Sequence, residues 1–324
     1  MRRERIRREK HAQRADSPGE REPHPDPLGA RPFAAERAMR EIQTLLAGQK
    51  FDSIDEINER LAELTAGGRL TELAQSWNRD DPKWRAQELA YDALETDDYV
   101  EALRLIDEAL KLDPDCTDAQ RLMVSILPMQ PDNRLALMRE VVDKAERNLG
   151  PSFFDKHKGH FWSEIATRPY MRAKQHLAEL LIETDKLDEA IATLERVLEL
   201  NPHDNQGVRY SLLALYLATG NLGSAGRVLA HHSQEERHSG IFAWARVLER
   251  WLAGKVREAD TALVRARKVN RFVEAYISGA RPFPQSAPSY YRPGDDSEAQ
   301  VCAAEFRVAW TRYPDFGTWI GTHR

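Results

Sequence analysis

The strongest constraint on this chain is a period. Residues 171–204, MRAKQHLAELLIETDKLDEAIATLERVLELNPHD, read as one complete helix–turn–helix unit, and its small-residue and turn positions return every 34 to 35 residues. Leu177, Ala178 and Leu181 form the inward stripe of the first helix, Ala190 lets the second helix approach it closely, and Pro202 stops the second. Ala225 and Ala259 repeat the alanine, Gly220 and Gly254 repeat the turn, and an earlier copy carries Ala90, Ala102, Ala109 and Pro114. A unit of this size cannot bury its apolar face alone, so neighbouring units must stack to do it.

These residues carry the tetratricopeptide (TPR) signature, and the chain resembles that superfamily. The resemblance implies an all-α, right-handed α-solenoid of helix–turn–helix (TPR-like) repeats with helical caps, here of four to five helix pairs. It also implies a surface for holding another protein rather than a reaction centre.

Composition agrees with an extended fold. The chain has 324 residues, 41% of them apolar and 31% charged. Two long solvated faces account for so much charge. The formal net charge is −5, and residues 1–22 hold eight Lys or Arg against five Asp or Glu, a local +3 that leaves −8 for the rest. That balance argues against a general nucleic-acid binder. Two cysteines, Cys116 and Cys302, have no metal or disulfide spacing and read as reduced thiols. No apolar run reaches the ~20 residues of a membrane helix, and no secretory leader is evident at the N-terminus. The expectation is a soluble, cytoplasmic protein that takes a protein or peptide partner, without nucleic acid or membrane contact and with a homo-oligomer left open.

Residues 1–32 are charged and then proline-rich and read as a disordered tail. Residues 33–82 read as an N-terminal helical cap: Met39, Ile42, Leu45 and Leu46 give the apolar face of one helix, Ser53 and Glu56 a capping box for the next, and Gly67-Gly68 its end. The TPR-like solenoid spans 83–278. Its second repeat is degenerate, with Leu137, Met138, Val141, Val142 and Ala145 facing inward, and 150–169 is an aromatic-rich insertion. Residues 279–324 form a proline-rich segment and a C-terminal capping helix over 297–312 that buries Val301, Phe306 and Trp310 against the last repeat's open edge.

Further stretches match more than the generic repeat. GHFWSEIATRPYMRA, NPHDNQGVRY, VNRFVEAYISGARPFP and YYRPGDDSEAQVCAAEFRVAW make residues 83–319 similar to a bacterial TPR family whose C-terminal third resembles the eukaryotic suppressor-of-tumorigenicity-seven proteins. That resemblance implies fold and boundaries and supplies no reaction.

First helices line the concave side of such arrays, and residues one turn apart on their non-core face point into it. In the complete repeat these are Arg172, Gln175 and Glu179. In the next they are Gly207, Tyr210 and Ala214, with Arg209 alongside. Arg172 and Arg209 would fork onto a carboxylate such as a peptide C-terminus. The competing reading pairs Arg168, Arg172 and Arg209 with Glu164, Glu179 or Asp204 to fix the stacking angle, and gives Asn205 and Gln206 to the inter-repeat turn. Trp244 and Trp251 read as core. His157 and His160 make a weak H-x-x-H candidate for zinc or nickel, with Asp155 or Glu164 as a third ligand, but Gly159 breaks the helix that would aim them. A structural turn packed by Phe161 and Trp162 competes with it, and no metal site is assigned. The chain lacks nucleophile-elbow, P-loop, dinucleotide and H-E-x-x-H motifs, so no catalytic residue and no cofactor is expected.

Overall fold

The computed structural model describes residues 33–46, 49–65, 80–288 and 290–323. The expected tail over 1–32, together with Gly67, Gly68 and Trp77, lies outside them. Every regular element of the described residues is helical. Among the described residues, two N-terminal helices, α1 (Ala34–Leu46) and α2 (Ile54–Thr65), precede five helix pairs. The pairs are α3 (Pro82–Glu95) with α4 (Tyr99–Leu112), α5 (Thr117–Ile126) with α6 (Pro131–Leu149), and, after a short α7 (Pro151–His157), α8 (Arg168–Glu183) with α9 (Leu187–Leu200). They continue as α10 (Val208–Ala218) with α11 (Leu222–His231) and α12 (Gly240–Leu252) with α13 (Val256–Val269). A single turn, α14 (Glu274–Ile277), then leads to α15 (Asp296–Trp310) and α16 (Pro314–Thr322). Each first helix packs on its own partner, and partners pack on the next repeat, which makes a helical-repeat solenoid.

The period comes from small residues at close approaches. Ala90, Ala109, Ala190, Ala225 and Ala259 are wholly buried, and Leu177, Ala178 and Leu181 are buried with them. Gly220 and Gly254 turn the chain at φ of 74° and 69°, the left-handed region. In the complete repeat the same position is Asp185, at φ 58°, where a short polar side chain tolerates that conformation. Ser53 accepts from the Glu56 amide at 3.2 Å while Glu56 accepts from the Asp52 amide at 2.8 Å, a reciprocal start to α2.

Three expectations change. In the second repeat Leu137 is exposed, while Leu135 is buried with Met138, Val141, Val142 and Ala145. Met39, placed on the apolar face of the first helix, is 44% exposed. The helix expected to close the last repeat, α15, lies instead along the first helices α10 and α12. Glu298 anchors it there by accepting from the amides of Gly240 and Gly294 and from Asn270 Nδ2 at 2.8–2.9 Å. The open edge is met by α16, which the sequence did not announce: Phe316 and Ile320 are wholly buried, and Arg267 donates to the carbonyls of Ile320 and His323.

The insertion over 150–169 packs aromatic side chains into the repeats. Phe161 is wholly buried and its amide donates to the Leu200 carbonyl at 3.1 Å. Phe154, Phe161 and Tyr170 stack edge to face and tilted at 4.9–6.2 Å. Among the described residues no helix is long and apolar enough to cross a membrane.

Candidate functional site

Three successive first helices, α3, α5 and α8, present polar residues on one side, and Arg172 sits at their meeting point. It is an early residue of α8, and Pro169 near the start of that helix fixes its entry. On one flank its guanidinium reaches Asp118, at the start of α5, through Nε to Oδ1 at 3.0 Å and Nη2 to Oδ2. Asp118 is completely buried and also accepts from Gln87 Nε2 at 2.9 Å and Arg121 Nε at 3.4 Å. Burial alone would raise the Asp118 carboxyl, but Arg172 and these donors hold it below the ordinary carboxylate range.

On its other flank Arg172 holds a second carboxylate. Its Nη1 and Nη2 donate to the two oxygens of Glu36, each at 3.0 Å. Arg168 Nη1 adds a bond to Glu36 at 3.3 Å, and the Tyr91 hydroxyl donates to it at 2.6 Å. Burial beside the Glu36 carboxylate pushes the Tyr91 hydroxyl far above its usual pKa, so it stays a donor. Arg168 is itself oriented by the Trp162 carbonyl at 3.0 Å and by that indole ring at 4.9 Å. The result is a fork-to-fork seat for one carboxylate, walled by two arginines and a tyrosine.

Arg209, expected beside Arg172 on one carboxylate, has partners of its own. Arg209 pairs with Asp204 at 2.7 Å, donates to the Tyr210 hydroxyl at 2.7 Å and lies 4.3 Å from the Tyr210 ring centroid. Asp204 also caps α10 by accepting from the amides of Val208 and Arg209, so the competing structural reading holds for this arginine. Tyr210 packs toward Phe242 at 5.6 Å and a cleft of about 330 Å³ shared with Tyr291 and Pro293. Gln175 is taken by Gln206, whose amide donates to it at 2.9 Å and to the Met171 carbonyl at 3.1 Å. Gly207 starts α10 at φ 71°, and Ala214 is wholly buried.

Glu179 stays exposed on the first-helix side, yet the protein around its carboxyl raises its pKa, against Arg121 and with help from Glu305. Burial likewise raises Glu305 of α15, although Ser211 donates to it at 3.0 Å. Beside them, burial and the charges of Arg121 and Arg134 lower His176 to about 4.

The histidine pair stays apart from any ligand set. His157 stacks on Phe153 at 4.2 Å and meets Glu164 at 3.2 Å, while His160 is exposed. Among the described residues no group of three or more His, Cys, Asp or Glu is arranged to hold a metal. Cys116 and Cys302 are buried, which pushes the Cys116 thiol up to about 12 and Cys302 well above its usual value. Another cleft, of about 540 Å³, is lined by Arg246, Arg250, Arg257 and Arg265 and contains none of these residues.

Comparison with known proteins bears on the repeats alone. The tetratricopeptide repeat family matches residues 181–243, from the end of α8 into α12. No curated protein matches the chain. The matched stretch holds Asp185, Ala190, Gly220 and Ala225, the positions that set the period, and it supports a tetratricopeptide-repeat protein built as a helical solenoid.

Proposed function

We propose that this chain is a non-catalytic, cytoplasmic scaffold that takes a segment of a protein partner on the side lined by its first helices, with Arg172 as the centre of contact. Tetratricopeptide repeats generally mediate protein–protein interaction, and the match over 181–243 supports that role here. The observation that carries the reading is the carboxylate seat: Arg172 keeps Asp118 on one flank and on the other grips a carboxylate, that of Glu36, through a bidentate fork where Arg168 and Tyr91 converge. A guanidinium already neutralised by a buried partner is pre-oriented, so little rotamer freedom is lost when it binds a second carboxylate. Glu179 extends the contact surface along α8. Gln175, Arg209 and Tyr210 tie repeats together and leave the contact set. The similarity to the suppressor-of-tumorigenicity-seven proteins adds no residue to this reading.

Photo-crosslinking in cells tests the face. A photoreactive residue at Glu179, on the first-helix side, is expected to capture one protein partner, and the same residue at Ala192, exposed on the second helix α9, is not. Capture from position 192 alone, or from neither, contradicts the reading.

A further inference from the structure

The seat is not open. Helix α1 fills it, and the face that α1 buries is its charged one. Phe33, Glu36, Arg37 and Arg40 fall at i, i+3, i+4 and i+7, one stripe of a helix. On α3, Glu88, Tyr91, Asp92 and Glu95 repeat the same spacing, and the two stripes meet. Arg37 pairs with Glu88, with Asp92 at 2.7 Å and with Glu95 at 3.4 Å, and Arg40 pairs with Glu88. The Phe33 ring stacks on Tyr91 at 5.2 Å and lies 5.4 Å from the Arg172 guanidinium. Glu36, 6% exposed, takes the carboxylate position between Arg168, Arg172 and Tyr91.

Two features separate α1 from a structural layer. Among the described residues, neither apolar cluster of the solenoid contains any residue of α1, although Leu45 is wholly buried. Its contacts with α3 and α8 are ion pairs, cation–π contacts and one aromatic stack, the contact set of a docked ligand helix. Without it Arg172 still keeps Asp118, while Arg168 loses the Glu36 carboxylate, so an emptied seat calls for another carboxylate.

We propose that α1 is a resident occupant of a helix-binding seat, and that the partner supplies a helix bearing the same pattern, aromatic-x-x-Glu-Arg-x-x-Arg, which takes the seat by displacing α1. This rests on the reading that the first-helix side is the binding face. The pattern follows from complementarity. An acidic strip on α3 selects the two arginines, the Arg168–Arg172 fork selects the glutamate, and Tyr91 between them selects the aromatic. Any competitor must overcome an occupant tethered in the same chain, so apparent affinity is reduced by the fraction of seats that stand empty.

The probe is a blocked, fluorescein-labelled peptide with the sequence of residues 33–46, titrated by anisotropy into the full-length chain and into a Glu36→Arg chain. That substitution sets a cation against Arg168 and Arg172 and expels α1 from within. The peptide is expected to bind the Glu36→Arg chain at least about tenfold more tightly than the native chain. Replacing the peptide's first glutamate, the one at the position of Glu36, by glutamine, or adding Arg172→Lys to the Glu36→Arg chain, is expected to remove at least about tenfold of that binding. A Glu36→Arg chain that keeps its helicity yet binds no peptide, or binds both peptides equally, overturns the inference.

Amide exchange in the native chain supplies a test that needs no variant. A displaceable α1 exchanges far faster than the inner residues of α8, whereas equal protection in the two helices overturns the inference. Failed peptide binding alongside capture from position 179 removes the resident-occupant inference alone. Failure of both removes the binding face with it.

Discussion

Arg172 holds Glu36 through two parallel hydrogen bonds of 3.0 Å across 136 positions of sequence, with a side chain that simultaneously neutralises the buried Asp118. One guanidinium thus joins the α5–α8 stack to the N-terminal helix α1. The two roles differ in energy. The bond to Asp118 compensates a fully buried charge, whereas the bonds to Glu36 join surfaces that can separate and rehydrate.

Removing the guanidinium leaves Asp118 buried without its main partner. Arg172→Ala is expected to cost about 3–5 kcal/mol of stability, within the range for breaking one side of a buried ion pair. Glu36→Gln, which spares Asp118, is expected to cost about 1 kcal/mol. Urea unfolding followed by far-ultraviolet circular dichroism compares them, and equal losses would mean that Glu36 is as integral to the fold as Asp118.

His176 sets a pH dependence. Its imidazole is held near 4 by burial and by Arg121 and Arg134, with the Ser125 hydroxyl at 3.5 Å as a polar neighbour. The unfolded chain, with an ordinary histidine near 6.5, binds more protons between those values. Stability therefore rises with pH through that window and is lost as pH falls from about 6.5 towards 4, by up to about 3 kcal/mol. The native chain minus His176→Gln, measured across this range, is expected to show that slope. A flat difference would show that the imidazole is not held neutral.

The left-handed turn positions test the repeat geometry. An added Cβ at Gly220 meets nothing within 4 Å, so the cost of Gly220→Ala is purely conformational, about 1–2 kcal/mol. Asp185→Gly at the equivalent turn removes the same conformational cost but loses the exposed pair with Arg312, so the net change is expected to stay below about 1 kcal/mol. Thermal unfolding of the two variants checks the order, and a larger loss from Asp185→Gly would reverse it.

At the other end, Gly317 lets α16 approach the turn after α14. A Cβ there would lie 2.5 Å from the Ile277 carbonyl oxygen. Gly317→Ala is expected to lift α16 from the last repeat and cost about 1–3 kcal/mol. Loss of amide protection confined to 314–322 is the signature, and unchanged protection would place the closing contacts elsewhere.

The repeats were legible because small residues at helix contacts leave a period: Ala190, Ala225 and Ala259 recur where helices nearly touch, and all are wholly buried. Arg172 was also legible as a first-helix residue off the core stripe. Its ligand was not. Phe33, Glu36, Arg37 and Arg40 look like the solvated face of a short helix, and the apolar stripe of Met39, Ile42, Leu45 and Leu46 pointed to the opposite face. The available signal was a second stripe at identical spacing and complementary charge, Glu88, Tyr91, Asp92 and Glu95. Pairing the two requires knowing that α1 packs on α3 through its charged stripe. The Arg209–Asp204 pair was legible as the competing reading, because the two lie five residues apart across one inter-repeat turn, although the φ of 50° at Asp204 was not.

The most direct measurement is the crosslinking yield from position 179 in the native chain and in the Glu36→Arg chain, at equal expression and helicity. If the first-helix side is the binding face and α1 its resident, expelling α1 raises capture of the partner at least several-fold, and capture from position 192 stays at background in both chains. An unchanged or reduced yield from position 179 would contradict the occupant, and no capture from position 179 in either chain would contradict the face as well.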